Sequence, residues 1–160
     1  MPRAQSTDYY HASKFQVVDS ENFLNPLAGF KTVSVPEETI EIAEYKEGIW
    51  TYGRKQLGNP AFSNVTMGKG IVKNDTIFSD YIRMAAEGNP VRTDFNILHF
   101  HRDDVQGLME YTKAKPSRII RCYNSLPTRV KFSADMDASS SDIAIQEIEM
   151  AVERCVVEYP

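Results

Sequence analysis

The sequence is poor in the residues that most often announce a chemistry. It has two cysteines, Cys122 and Cys155, too few for a disulfide scaffold and not spaced as a CxxC pair. The simplest reading is two buried free thiols; a disulfide within or between subunits would need an oxidising compartment. No GxSxG, HExxH or P-loop sequence occurs, so catalysis has no motif to rest on. Gly68-Lys69-Gly70 is too short to cradle a phosphate. His99 and His101 put two imidazoles on one strand face, with Asp103 and Asp104 close behind, but no third ligand is placed by spacing. No metal, no cofactor and no enzymatic activity are therefore expected. No stretch approaches the roughly 18 apolar residues of a membrane span. The N-terminal stretch lacks an apolar h-region. Neither a membrane anchor nor a signal peptide is expected, and first folding is expected in the cytoplasm.

What is present is an ordinary globular composition, 42% hydrophobic and 25% charged over 160 residues, enough for one domain with a real core. The net charge of −4 is zoned. Residues 135–160 hold seven acids and one base; Glu37 to Glu47 holds five acids against Lys46. Tyr111 to Ala134 holds six bases, Lys113, Lys115, Arg118, Arg121, Arg129 and Lys131, and no acid. Such zones are either solvated faces or surfaces that meet, within the fold or between copies. The basic stretch also carries Tyr111, Tyr123 and Phe132, a mixture that suits single-stranded nucleic acid. Against that stand the sequence pI near 5.4 and the phase of Phe132, which points it to the core.

Along the chain, residues 1–13 read as a flexible N-terminal arm and 14–160 as a single domain. Lys14 to Val18 is a strand, followed by a turn at Asn25-Pro26 and Gly29. Thr32 to Glu47 alternates in its second half, Ile40 and Ile42 on one face and Glu41 on the other, with Pro36 interrupting. Gly48 to Phe62 holds three glycines, a proline, the only tryptophan and two adjacent bases. It reads as a long connection, and long connections tend to be functional. Asn64 to Val72 is a strand. Asp75 to Glu87 is a helix capped by Asp75 and stopped by Gly88-Asn89-Pro90. Thr93 to His101 is a strand apolar on both faces. Arg118 to Tyr123 and Arg129 to Ser133 are two strands joined through Pro127. The last segment alternates but slips phase at Gln146-Glu147, which predicts a bulge there. Glu147 and Glu149 point one way, Ile148, Met150 and Val152 the other. The pattern predicts a mainly β (α+β) fold, a small antiparallel β-barrel or sandwich with one flanking helix.

Two stretches together resemble a known family. Glu44-Tyr45-Lys46-Glu47-Gly48, then Arg54-Lys55, Pro60, Phe62, Val65-Thr66 and Lys69-Gly70-Ile71, follow in order the strand, loop and strand of the tube proteins of contractile phage tails and related injection systems. Ala138-Ser139-Ser140, Ile143-Ala144-Ile145, Ile148-Glu149 and Glu153 resemble that family's closing strand. Gln146 stands where the family usually has a Glu, Arg154-Cys155 replaces its Gly-rich ending, and residues 101–116 carry no signature of it.

The resemblance implies a structural subunit. Hexameric rings would stack into a hollow inner tube within a sheath protein, with baseplate and tail-terminator proteins at its ends. DNA, or protein, would pass through the lumen without specific binding. The subunit would belong to a virion tail assembled in the host cytoplasm and act in genome ejection. A single-ring baseplate or tail-terminal component of the same fold is the alternative, and a nucleic-acid-binding module a more distant one. In this setting Trp50, Tyr52, Arg54, Lys55 and Leu57 are expected to form inter-subunit contacts, aromatics and Arg being the residue types that dominate interfaces; Trp50 packing on its own barrel is the plain rival. Glu147 and Glu149 are expected either to face the lumen, repelling phosphates, or to face the outer wall or pair across strands with Arg121, Arg129 or Lys131. An intersubunit disulfide through Cys122 or Cys155 becomes feasible once a particle meets an oxidising exterior.

Overall fold

In the computed structural model, residues 9–19, 30–101 and 115–160 are described. The expected turn at Asn25-Pro26 and Gly29 lies outside them, as do Tyr111, Lys113, Asp103 and Asp104. The strands are β1 (Phe15–Asp19), β2 (Phe30–Ser34), β3 (Glu38–Tyr45), β4 (Arg54–Phe62), β5 (Val65–Gly70), β6 (Thr93–His99), β7 (Arg118–Lys131), β8 (Ile145–Ala151) and β9 (Arg154–Glu158). One helix, α1 (Ile77–Ala86), follows β5.

Seven strands form one antiparallel sheet in the order β1-β6-β7-β8-β5-β2, with β9 also paired to β7. The edge strands β1 and β2 do not pair with each other, so the described strands form an open, wrapped sheet rather than a closed barrel. The organising element is β7. Its first half is flanked by β6 on one side and β9 on the other, and its second half pairs with β8. The two strands expected on either side of Pro127 are thus one strand. Pro127 survives inside it because, among the described residues, no strand lies on the far side of that half, and a proline lacking an N–H is tolerated at an edge. A register shift between Pro127 and Arg129 takes up one extra residue, Thr128. The chain's bulge in this region is therefore on β7, not at Gln146-Glu147, because β8 pairs with β5 without a break.

The core follows from alternation. Val65 and Met67 on β5, Ile148 and Met150 on β8, Phe95 and Ile97 on β6, and Ile120 and Cys122 on β7 all point inward. Helix α1 closes this side with Phe78 and Tyr81. The Tyr81 hydroxyl donates to the Val91 carbonyl at 2.6 Å, which satisfies the polar end of a buried ring. Gly88 takes φ of +90° and ends the helix as expected. Thr76, not Asp75, holds the N-cap position, without a side-chain cap bond. Asp75, one residue earlier, still serves the helix start: one carboxylate oxygen accepts from the Ile77 N–H at 3.4 Å, and the other accepts from Lys69 Nζ at 2.7 Å, both side chains fully out of solvent. Lys69 Nζ also sits 4.3 Å from the centre of the Phe78 ring, a cation–π contact that partly replaces lost water. Phe132, expected in the core, lies beyond the end of β7 and is exposed.

Strands β3 and β4 form a separate two-stranded sheet. The Thr32–Glu47 segment is divided at Pro36 between two sheets. Most of the expected long connection is strand β4.

Candidate functional site

The β3–β4 hairpin is closed at its base by Glu37 and Ser63. The Ser63 N–H donates to the Glu37 carbonyl at 3.0 Å, and the Glu37 N–H donates to the Ser63 hydroxyl at 2.7 Å. Beyond that lock the strands run in register from Glu38↔Phe62 to Tyr45↔Arg54, with one shift between Ile40 and Ile42. Gly58 sits at this irregularity because a Cβ there would lie 3.0 Å from the Glu41 carbonyl oxygen. The sequence signal held for β3, where Ile40, Glu41 and Ile42 alternate, and failed for β4 for a physical reason. No residue of β4 is buried, so no burial period marks it as strand.

The exposed side chains are of the wrong kind for water. Ile40, Ile42, Tyr45, Ile49, Trp50, Tyr52 and Leu57 are all exposed, Ile49 at 95% and Tyr52 at 84%. Trp50, at 61%, does not tuck onto its own sheet. With Tyr52, Arg54, Glu47 and Gly53 it lines one cleft at the hairpin tip. Lys55 and Leu57 lie further down β4, Lys55 opposite Glu44. The sequence reading missed Ile40, Ile42, Tyr45 and Ile49 as members of this surface. Apolar side chains exposed in number on one hairpin are of the kind found at interaction surfaces.

A second surface is the outer face of the β7–β8–β5–β2 ladder. Glu147 and Glu149 do point away from the core, with side chains 43% and 26% exposed. The face is not purely acidic. Arg129 lies opposite Glu149, and Lys131 opposite Glu147. Arg129 Nε donates to Glu149 at 3.0 Å and Arg129 Nη2 lies 3.8 Å from Glu147. Cross-strand pairing with Arg129 is therefore present, whichever surroundings the face has in an assembly. Arg121 is elsewhere, donating to Glu158 at 2.7 Å. The basic zone and the acidic C-terminal zone thus meet within one chain.

Hydrogen bonds from Asn64 and then Arg129 hold the Glu149 carboxyl below the usual carboxylate range. A carboxyl lowered in the folded state contributes stability above its unfolded pKa and loses it as pH falls through the folded value. In an NMR titration, Asn64→Ala and Arg129→Ala should each move Glu149 upward, toward the unperturbed value of about 4.3. Titration unchanged by both would contradict the pairing.

The strand β6 ends at His99, and the Tyr10 ring packs between the imidazoles, 4.8 Å from that of His99 and 5.1 Å from that of His101. The Tyr10 and Ser117 hydroxyls are 2.7 Å apart, so part of the expected arm is tied to the domain. Among the described residues no group of three His, Cys, Asp or Glu is placed to hold a metal, and no helix is long and apolar enough to cross a membrane. Cys122 and Cys155 are free but opposed on β7 and β9 within one chain. Cys122 is fully buried, and Cys155 is partly exposed.

Comparison with known proteins places this geometry. A chain of the sheath–tube complex of an extracellular contractile injection system, PVC, in its extended state superposes with a TM-score of 0.80 at 22% identity, covering 98% of this chain and 95% of that one. A chain of the anti-feeding prophage tube-terminating cap gives 0.76 at 20% identity, covering 96% and 93%. Hcp1 from Flavobacterium johnsoniae gives 0.54 at 10% identity, covering 92% and 96%. These likenesses show a shared fold. A comparison with curated protein sequences finds no match. The family profile of the T4-like virus tail tube protein gp19 matches residues 11–156, nearly the whole chain, and the chain therefore belongs to that family of structural tail tube subunits.

Proposed function

We propose that this subunit closes into hexameric rings that stack as the inner tube of a contractile tail or injection system. The tube would lie inside a sheath, between a baseplate and a terminator, and conduct DNA or protein. Its place would be the virion tail, following assembly in the host cytoplasm. Support for ring closure comes from a relative of the same fold, matched in a 6-fold symmetrised baseplate of the anti-feeding prophage. Support for the sheath and terminator as partners comes from matched chains in PVC sheath–tube and sheath/tube terminator assemblies.

The observation that carries the reading is the β3–β4 hairpin. A lone two-stranded hairpin is at best marginally stable in water. This one exposes a run of aromatic and aliphatic side chains that gain stability only when a partner covers them. Trp50, Tyr52, Arg54, Lys55 and Leu57, with Ile49, are assigned to a neighbouring copy. The polar face of β8 is assigned to the lumen. There the carboxylates of Glu147 and Glu149 engage Arg129, so the guanidinium is not free to hold passing phosphates. A locally charge-balanced wall conducts a polyanion without sticking to it.

Electron microscopy of the concentrated protein, alone and with a nucleating baseplate, tests this. Hollow tubes with Glu147 and Glu149 on the bore are expected. Monomers that do not polymerise on the baseplate would overturn the tube, and carboxylates sealed within a subunit contact would overturn the lumen assignment.

A further inference from the structure

We propose that Cys155 and Cys122 form a thiol–disulfide exchange site, at which a small-molecule disulfide thiolates Cys155 and Cys122 then displaces it to close a bond within the subunit. The proposal does not rest on the tube reading. Cys122 and Cys155 are direct partners in the antiparallel β7–β9 ladder, and their sulfurs are 3.7 Å apart. Directly opposed residues of such a ladder have Cα atoms about 4.5–5.5 Å apart, inside the roughly 4.4–6.8 Å that a disulfide spans. Closure needs side-chain rotation and no change of register.

The two thiols are unequal in access. Cys122 is fully buried. Cys155 is half-buried and opens onto a groove of about 780 Å³ between β9 and the hairpin base, whose apolar lining includes Ile120, Val157 and Phe62. Arg118 and Arg154 border the groove together with Glu38 and Glu153, so a zwitterionic peptide disulfide finds partners of both signs. The chemistry is unequal in the same sense. The adjacent Cys122 thiol lowers the Cys155 pKa, while Cys155 and burial push Cys122 up. The outer sulfur is the nucleophile and the inner one the resolving thiol.

The exchange balances. Cys155 gives its proton to solvent and its thiolate attacks one sulfur of R–S–S–R. One RS⁻ leaves and takes a proton. Cys122 then loses its proton and attacks the Cys155 sulfur, and the second RS⁻ leaves and is protonated. The protein dithiol is oxidised by two electrons and the small disulfide is reduced to two thiols. The product ties β7 to β9 across a 33-residue separation, which should raise Tm by on the order of 10 °C.

The test is incubation of the reduced full chain with glutathione disulfide, followed by intact-mass spectrometry, non-reducing gels and thermal melting. The wild type should lose two hydrogens, migrate as a monomer and melt higher. Cys122→Ala and Cys122→Ser should stop at a stable glutathione adduct on Cys155, whereas Cys155→Ser should stay unmodified while folded. A wild type that remains reduced, a disulfide-linked dimer, or a Cys155→Ser chain thiolated as fast as Cys122→Ala would each overturn the proposal.

Discussion

Asp75→Ala is expected to cost about 3–5 kcal/mol, the usual penalty for stranding one partner of a buried ion pair. Lys69 and Asp75 are both sealed from water at 2.7 Å. Removing the carboxylate leaves an ammonium whose other contact among the described residues is the Phe78 face, and a cation–π contact returns only about 2 kcal/mol when desolvated. Against a total stability of about 5–15 kcal/mol, much of the fold is at stake, because Lys69 belongs to β5, the strand bonded to both β2 and β8. Urea denaturation at neutral pH measures the loss. The double variant Lys69→Met/Asp75→Leu should recover most of it, since apolar replacement of a whole buried pair is often neutral or stabilising. A loss under about 1 kcal/mol for Asp75→Ala would mean that water reaches Lys69 and that the pair is no clamp.

Excising Glu38–Phe62 should abolish tube assembly while leaving the subunit folded. The design follows from the base lock, where Ser63 N–H meets the Glu37 carbonyl and a two-glycine turn can join the cut ends. None of the fully buried core residues lies in the hairpin, so far-ultraviolet circular dichroism and cooperative melting should persist. Assembly should fail because the deletion takes Ile49, Trp50, Tyr52 and Leu57 with it, and a few large aromatic and aliphatic residues carry most of an interface. Trp50→Ala alone should weaken assembly with little change in subunit stability, as surface substitutions usually lie within about 0.5 kcal/mol. Tubes from the excised chain would remove the hairpin from the assembly reading.

How much of this was legible in the sequence depended on burial. Helix α1 and the inward residues Val65, Met67, Ile148 and Met150 announced themselves because one face meets the core and the other does not. Strand β4 did not, because Pro60 and the glycines look like loop chemistry and nothing is buried to set a period. Pro60 is tolerated there, opposite Ile40 on a two-stranded ribbon. Pro127 misled in the same way, since an edge position permits what a central strand forbids. The phase slip at Gln146 had a different origin. Gln146 is a buried polar residue on the side where alternation calls for an apolar one, while Ile145 shares the outer face with Glu147. Lys69 was read within a family motif, and its buried partner could not be inferred because spacing does not reveal which charges the fold brings together.

Strand β7 also has a mechanical meaning. Its 14 residues make a beam of at most roughly 46 Å at the usual rise per residue, shortened where Asn124 takes a positive φ, and bonded to β6, β8 and β9. A pull along its axis loads all three ladders in shear, so many hydrogen bonds must fail together. A pull on the β3–β4 hairpin across its strands would open that ribbon one pair at a time. In a stretched subunit the hairpin should yield first and the beam last, so the part assigned to gripping a neighbour would be compliant and the part assigned to the wall stiff.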